Sequence, residues 1–313
     1  MPDNLEITLG KHASKHLSAD LATLISRIGQ MTPNVKAEFP KRLKVARTTN
    51  KFGEVQKELD AWTNGFFVDA LIKTGLVRAI YSEELDKPYI YNDSAPFVVT
   101  MDPLDGSSNI STNNVFGTIF GIYREDLPAT GRKLVCAIYE LYGPITTLVY
   151  TAGNGMGVHE FVKQREGEQQ YLLLHENMKL PAKGEVFGIG ADPMEWSNEF
   201  MGFAKGLFKK HRLKARYCGA FVGDFSQVLH RGGLFSYPCT KKSPNGKLRL
   251  YFEAAPMALI MEEAGGASSN GSISLLDVDL PDIDARVPLY MGNKYLIEEL
   301  EAAIKKGQTY RQQ

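Results

Sequence analysis

The chain has 313 residues, 43% hydrophobic and 23% charged, the composition of a soluble globular protein long enough to bury a large core without disulfide or metal staples. Lys plus Arg total 36 and Asp plus Glu total 36, so the formal net charge is zero, which speaks against a dedicated nucleic-acid binder. No apolar run is long enough to span a bilayer, the first ten residues carry no basic-then-apolar leader pattern, and three scattered cysteines (Cys136, Cys218, Cys239) form no CxxC pair. The expectation is a cytoplasmic protein with no membrane partner, no zinc ribbon and no redox motif.

In chain order, Ala19 to Ile28 places Leu21, Leu24, Ile25 and Ile28 on one helical stripe. Gly53 to Leu76 predicts a second helix with Val55, Leu59, Trp62, Phe66, Val68 and Leu71 inward. Strand patterns follow at Leu76 to Tyr81, Pro96 to Met101, Phe116 to Tyr123, Leu134 to Tyr142, Ile145 to Tyr150, Val158 to Val162 and Gln170 to Leu174. That succession predicts a largely antiparallel sheet behind the early helices. A polar break at Glu176 to Gly184 divides the chain into 1–180 and 181–313. Beyond it, helices are expected at Glu195 to Lys210, Val222 to His230, Ala254 to Glu263 and Lys294 to Lys306, with strands at Gly233 to Tyr237 and Val287 to Gly292.

The densest chemistry lies in Asp102-Pro-Leu-Asp105-Gly-Ser-Ser-Asn109. The β-rich run ends at Met101, so Asp102 and Asp105 stand at a strand's exit. Pro103 fixes φ and removes a donor, and Gly106 permits a tight turn. Gly106, Ser107 and Ser108 then offer backbone N–H groups and hydroxyls suited to a phosphate. Hard divalent cations take oxygen ligands and share them with phosphate, so one segment can serve both. An ordinary Asp-Gly turn with a capping serine is the plainer alternative. Glu83-Glu84 closes another strand, Glu253 precedes the apolar helix Ala254 to Met261, and Asp60 lies within the second helix. Each alone reads as a solvated or dipole-pairing acid. Together with Asp102 and Asp105 they make a cluster able to bind two or more cations. In the second half, Arg216-Tyr217, Tyr237 and the run Lys241 to Arg249, with Lys247, mix cations with phenols, either as a phosphate site or as a solvated basic loop.

These segments carry a resemblance. MDPLDGSSNI, the preceding SEEL, GTIFGIYR (Gly117 to Arg124) and SPNGKLRLYFEAAPMALIMEEAGG (Ser243 to Gly266) resemble the fructose-1,6-bisphosphatase and sedoheptulose-1,7-bisphosphatase family, from about Phe52 to Gly292. DPLDG alone would also fit inositol monophosphatases, which lack the KLRL–FEAAP stretch. The resemblance implies an α/β (α+β) fold of alternating helix and sheet layers in two coupled halves, 1–180 binding metal and phosphate and 181–313 binding the sugar phosphate. It implies hydrolysis of the C1 phosphate of a ketose bisphosphate with Mg2+, or Mn2+, as two or more ions per site. By the same resemblance Glu83, Asp102, Asp105, Glu253 and the Leu104 carbonyl are metal ligands, and Asp60 and Glu84 activate water. Gly106, Ser107, Ser108 and Arg249 meet the reacting phosphate, while Tyr217, Tyr237 and Lys247 hold the distal phosphate and sugar. Arg216 matches an arginine that reaches a neighbouring subunit's site, implying a homo-oligomer, dimer or tetramer. Glu54 stands where many members have Asp.

Some residues depart from the fructose-specific pattern. Ile189-Gly190-Ala191-Asp192 replaces an Asn-Glu-Gly-Tyr segment at the distal phosphate. The amino-terminal Gly-Glu-Leu-Thr signature of an AMP site is absent, and Pro96-Phe97 replaces its Lys-Tyr pair although Arg124 matches. Gly157 to Phe161, Phe252 to Pro256 and Gly265 to Ser269 look closer to sedoheptulose bisphosphatases, without the redox cysteine pair or transit peptide of the plant enzymes. The expectation is therefore a sedoheptulose 1,7-bisphosphatase first and a fructose 1,6-bisphosphatase second. An inositol-type monophosphatase and a non-catalytic sugar-phosphate sensor are the further alternatives.

Overall fold

The structure is a computed structural model that describes residues 7–49, 52–163 and 170–310. It opens with three helices, α1 (Leu9–His16), α2 (Ala19–Thr49) and α3 (Phe52–Ile72). The stripe that begins at Leu21 does not stop at Ile28: Met31, Val35 and Phe39 continue it at helical spacing and are buried. That continued burial carries α2 through Pro33 and Pro40, each of which costs a helix interior about 3 kcal/mol. In α3, Leu59, Val68 and Leu71 are buried as expected, Trp62 and Phe66 half-buried, and Phe67 joins them in the core. The side chains of Val55 and Glu54 lie outside the described residues.

Eight strands then form one sheet: β1 (Val77–Ser82), β2 (Tyr89–Ile90), β3 (Phe97–Asp105), β4 (Phe116–Tyr123), β5 (Leu134–Tyr142), β6 (Thr146–Thr151), β7 (Val158–Val162) and β8 (Leu172–Met178). Their order is β2-β1-β3-β4-β5-β6-β7-β8, antiparallel throughout except for the parallel pair β1 and β3. Strand β8 starts later than expected and runs to Met178, so the polar break begins inside a strand. Beyond Lys163, the charged turn before it lies outside the described residues.

The second half supplies β9 (Val186–Ile189), α4 (Asn198–Lys209), β10 (Lys214–Ala215), α5 (Phe221–Arg231), β11 (Gly233–Tyr237), β12 (Leu248–Arg249), α6 (Ala255–Glu263), β13 (Ala267–Ser269), β14 (Arg286–Val287), β15 (Leu289–Gly292) and α7 (Lys294–Tyr310). A five-stranded sheet runs β10-β9-β11-β15-β13, and β12 pairs with β14. Pro288 splits the expected strand Val287 to Gly292 into β14 and β15, because it has no N–H to donate to a ladder. Asp192 caps a short 3₁₀ turn, Pro193–Glu195, and Ser197 caps α4 through the Phe200 N–H, which moves that helix's start inward from Glu195.

Both faces of the large sheet are apolar and both are covered. Along β5, Cys136 and Ile138 face a core built with α2 and α3, while Ala137 and Tyr139 face a second core with α5 and α6. The second core continues to Val186, Phe235, Leu289 and Met291 of the smaller sheet, whose other face meets α4 and α7 through Phe187, Leu234 and Tyr290. The layers are therefore helix, sheet, helix, sheet, helix, and the α/β expectation is met. Helix α6 lies between two sheets, which is why every residue from Ala255 to Met261 is buried. No helix among the described residues is long and apolar enough to cross a membrane. At the amino-terminal end Arg124 stacks 4.6 Å from the Phe97 ring and pairs with Asp20 at 3.1 Å, so the guanidinium that the resemblance assigned to an AMP site has an internal partner.

One buried ion pair ties the sheet to α5. His230, in the last turn of α5, donates from Nδ1 to the Ser226 carbonyl at 2.8 Å and from Nε2 to the Glu160 carboxylate at 3.1 Å. His175 reaches the same carboxylate oxygen at 2.7 Å. The Glu160 hydrogen bond raises His230 above its ordinary value of 6.5 against the opposing effect of burial. Burial pushes Glu160 up from 4.5, but the hydrogen bonds and charge of His230 and His175 outweigh it and hold the carboxyl lower. The raised His230 contributes stability that is complete below pH 6.5 and is lost as pH rises through its folded value. The depressed Glu160 contributes stability present above pH 4.5 and lost as pH falls through its folded value. The pair is strongest between those limits. His230→Gln should therefore cost, after solvent screening, roughly 0.5–1 kcal/mol at pH 6 and less at pH 9. Thermal unfolding of both proteins at the two pH values checks this; an equal deficit at both would show that the charge contributes nothing.

Candidate active site

In a regular strand Asp102 and Asp105, three residues apart, would point to opposite faces. Strand β3 avoids this with a bulge. Asp102 lies opposite Ile119 and Asp105 opposite Gly117, so β3 spends one more residue than β4 over that step. Both carboxylates thus leave the same face. Pro103 sits inside the bulge, where no ladder donor is needed, and its carbonyl accepts from the Thr118 hydroxyl at 3.0 Å. Gly106 follows at φ 77°, and a Cβ there would overlap that of Ala220. Ser107–Thr112 then forms a 3₁₀ turn that presents the loop's hydroxyls.

The loop is pinned from the other half of the chain. Asn109 donates from Nδ2 to the carbonyls of Val115 and Cys218, each at 2.8 Å. Asp224, inside the first turn of α5, accepts from the N–H groups of Cys218 at 2.8 Å and Gly219 at 3.3 Å. Asp105 in turn accepts the Val222 N–H at 2.8 Å and a second bond from the Phe221 N–H. The positive end of α5 therefore faces the carboxylate that the bulge has aimed at it.

The acids converge where the layers meet. Carboxylate oxygens of Glu83, Asp102 and Glu253 lie within 4.8 Å of one another. Glu83 follows β1 and is fixed by its N–H to the Met101 carbonyl at 3.1 Å. Glu253 sits in a π-helical turn, Leu250–Ala254, that precedes α6, so the helix start expected at Ala254 is preceded by a wider turn. Its carboxylate accepts the Arg249 N–H at 2.6 Å. Burial pushes Glu253 up to about 7 and Asp105 up to about 6. Burial also raises Asp102 well above the carboxylate range, with the charges of Asp105 and Glu253 adding to it. Asp60 reaches about 6 through burial and the charge of Glu84, with Ser107 hydrogen-bonded to it, and burial likewise raises Glu84. Crowded, buried and oxygen-only, these groups fit a hard divalent cation, whose charge would offset the burial, and the repulsion added to it, that now raise them.

Across a cavity of about 260 Å³ stand Tyr217, Tyr237 and Lys247, facing Glu83, Glu84, Asp102, Leu104, Asp105, Gly106, Ser107, Ser108 and Glu253. Lys247 donates to the Tyr237 hydroxyl at 3.3 Å, and Tyr217 is hydrogen-bonded to Tyr237. Three residues named from the sequence stand off the cavity wall. Arg216 is exposed and donates to its own neighbour's carbonyl, Ala215, at 3.2 Å. Arg249 is bonded to Glu83 and lies 3.7 Å from Asp284, so it holds a metal-site acid rather than the cavity wall. Asp60 stands behind Ser107 instead of on the wall. Sequence reasoning missed Asp224 and the pinning role of Asn109. The signal that could have found Asp224 was an acid in the apolar company of Phe221, Val222 and Phe225. Of the cysteines, Cys136 is buried, Cys239 is exposed, and burial pushes the half-buried Cys218 thiol up to about 12.

The chain matches the family models "Fructose-1-6-bisphosphatase, N-terminal domain" over residues 6–176 and "Fructose-1-6-bisphosphatase, C-terminal domain" over residues 180–305. It is 40% identical to a class 1 fructose-1,6-bisphosphatase of Methanocorpusculum labreanum, covering 93% of this chain and 89% of that one. It is also 40% identical to one of Citrifermentans bemidjiense, over 96% and 93%. Its fold superposes on the crystal structure of Leishmania major fructose-1,6-bisphosphatase in holo form with a TM-score of 0.86, at 30% identity over 95% of this chain and 98% of that one. An acid cluster, a loop of phosphate-binding type and a tyrosine–lysine wall in one cavity, together with these matches over nearly the whole length, place the chain in the fructose-1,6-bisphosphatase family of phosphatases.

Proposed function

We propose that this protein hydrolyses the C1 phosphate of fructose 1,6-bisphosphate with the help of Mg2+, or Mn2+ in its place. The observation that carries the proposal is that one cavity joins an acid cluster and a serine-rich loop to a separate Tyr217–Tyr237–Lys247 wall. The first set suits a reacting phosphate and its counter-ions, the second a phosphate at the far end of a sugar. The relatives reported above are named for fructose 1,6-bisphosphate, so the six-carbon substrate moves ahead of sedoheptulose 1,7-bisphosphate. The longer ketose keeps one specific argument: Gly190, in the divergent segment after β9, packs directly against the Tyr237 ring, where the distal end would lie.

Glu83, Asp102, Asp105, Glu253 and the Leu104 carbonyl would hold two or more ions. Divalent cations, when bound, supply charge neutralisation and Lewis-acid polarisation at the phosphoryl oxygens. Gly106, Ser107 and Ser108 donate to the phosphate, and the fixed bulge holds that loop in line with the acids. Glu84, on the cavity wall, would take a proton from an attacking water, and Asp60, lifted to about 6 beside Ser107 and Glu84, would support it from behind the wall. Arg249 keeps Glu83 in register. Tyr237 and Lys247 hold the distal phosphate, so remote binding energy is used to position the C1 end. Arg216, exposed beside Tyr217, is available to a neighbouring subunit's cavity in a dimer or tetramer.

Three outcomes follow. Phosphate release from the two bisphosphates, measured side by side, should show a higher kcat/KM for fructose 1,6-bisphosphate and none with chelator; a clear preference for the seven-carbon substrate would reverse the order. Asp105→Ala should lower kcat at least about 10²-fold while circular dichroism shows the fold retained. Near-normal turnover in that folded variant would remove the acid-cluster assignment. Lys247→Ala should lower kcat/KM for the bisphosphate about 10- to 100-fold, the loss expected for one charged hydrogen bond. It should leave a monoester without a distal phosphate unchanged, and equal losses on both substrates would sink the distal role.

A further inference from the structure

A second group of metal-ligating side chains lies at the other end of the large sheet, away from the acidic cavity. His12 and His16 stand four residues apart on α1, so both rings share one face of that helix, with centroids 4.8 Å apart. Glu176, on the edge strand β8, meets them there. Helix α1 is seated on that edge by a bridge from Thr8 to Leu172 and by the Leu9 N–H to the Tyr171 carbonyl at 2.9 Å. One ring nitrogen from each histidine and one Glu176 carboxylate oxygen all lie within 4.8 Å of one another.

His12 supplies the independent observation. The side chain is 2% exposed, and its Nε2 is buried without a hydrogen-bond partner. Its Nδ1 is occupied by the Tyr150 hydroxyl at 2.7 Å. The nearest acid oxygen, on Glu176, is 3.8 Å from Nε2, beyond hydrogen-bond reach. A buried ring nitrogen left unpaired costs free energy unless something fills the gap. A second proton does not fill it, and with the ring's one proton on Nδ1, donated to the Tyr150 hydroxyl, Nε2 keeps a bare lone pair. Burial, with the charges of His159, His16 and Lys15 adding, pushes His12 down to about 4 and keeps the ring neutral. His159, its neighbour at 4.4 Å between ring centroids, is already committed: its Nδ1 accepts the Asn177 N–H at 3.2 Å and its Nε2 donates to the Met156 carbonyl at 3.2 Å. A neutral imidazole with Nδ1 held by a second-layer hydrogen bond and Nε2 bare is the state in which histidine binds a metal.

We propose that His12 Nε2, His16 and Glu176 form a binding site for one divalent transition-metal ion of the zinc type. Two imidazole nitrogens and one carboxylate are a three-ligand set that Zn2+ accepts, with water completing the shell. His16 and Glu176 are exposed, which gives the ion an entry path. The nitrogen donors separate this site from the oxygen-only acid cluster, which favours harder cations. An ion here would tie α1 to the edge strand.

Co2+ is a suitable probe, because a low-coordinate site with nitrogen ligands absorbs visible light far more strongly than a six-coordinate oxygen site. The full-length protein, stripped with chelator and then saturated with Mg2+, is titrated with Co2+ and back-titrated with Zn2+. One Co2+ per chain should give strong visible bands that Zn2+ abolishes. His16→Ala and Glu176→Gln, at exposed positions outside the acidic cavity, should each weaken Co2+ binding by more than about tenfold and leave phosphate release unchanged. Glu83→Gln should leave the bands intact. Absence of strong bands in the native protein, or identical titrations for native, His16→Ala and Glu176→Gln proteins, would overturn the proposal.

Discussion

The mutual repulsion of buried carboxylates is the constraint around which the rest of this molecule is arranged. Asp102, Asp105 and Glu253 are all buried, and Glu83 completes the group from the end of β1. Bare acids in such a place would rather be protonated or apart. They are held by donors instead. Leu104 gives its N–H to Asp102 at 2.9 Å, Val222 and Phe221 give theirs to Asp105, and Arg249 gives its N–H to Glu253 and its guanidinium to Glu83. Each donor comes from a distortion of regular structure: a bulge, a helix end, a π turn. Regular elements spend their donors internally, so an acid cluster of this density needs irregular backbone at its edges.

Helix α5 shows how one element serves both ends of the problem. Its N-terminal N–H groups face Asp105, and its interior Asp224 pins Cys218 and Gly219 beside the phosphate loop. Its C-terminal His230 is bonded to Glu160 of the large sheet. The helix is thus anchored at its far end by charge and at its near end by the site, with Phe225 and Leu229 buried between them. Movement of α5 along its axis would break contacts at both termini. The position of Asp105 therefore depends on packing well outside the cavity.

Much of this was legible in the sequence, for physical reasons that also mark the limits. Short apolar runs rich in β-branched and aromatic residues, such as Phe116 to Tyr123 and Leu134 to Tyr142, read as strands buried on both faces, and both match the observed bounds. The acids were legible only as a set: Glu83, Glu84, Glu253 and Asp60 each read alone as solvated or dipole-pairing acids, and only with Asp102 and Asp105 as a cluster. What periodicity does not encode is a one-residue change of register. Nothing local says that β3 bulges at Pro103-Leu104, so the common direction of Asp102 and Asp105 had to wait for the pairing with β4. Asp224 stayed hidden for a similar reason: its partners, Cys218 and Gly219, are backbone groups in a loop, and backbone donors leave no trace in residue type. Arg249 was assigned to the reacting phosphate by resemblance alone; its contact with Glu83 joins residues far apart in the chain and has no local sequence signal.

The two walls of the cavity belong to different layers, and this separates chemistry from selectivity. The acids and the serine loop stand on the large sheet and on the π turn before α6, while Tyr237 ends β11 of the smaller sheet. Between the sheets lies the fully buried core of α5 and α6, which cannot thin or thicken without voids or overpacking. The distance between the acid cluster and the Tyr237 wall is thus fixed by the scaffold to first order. Fine adjustment falls to whatever touches the far wall, and Gly190 does so against Tyr237, followed by Ala191 at φ 69°. A side chain at position 190 would have to displace the Tyr237 ring and with it the hydroxyl that meets Lys247. On the proposed reading, the segment from Ile189 to Asp192 would tune the fit to substrate length through Tyr237, while the acid cluster would meet the same phosphate whatever sugar carries it.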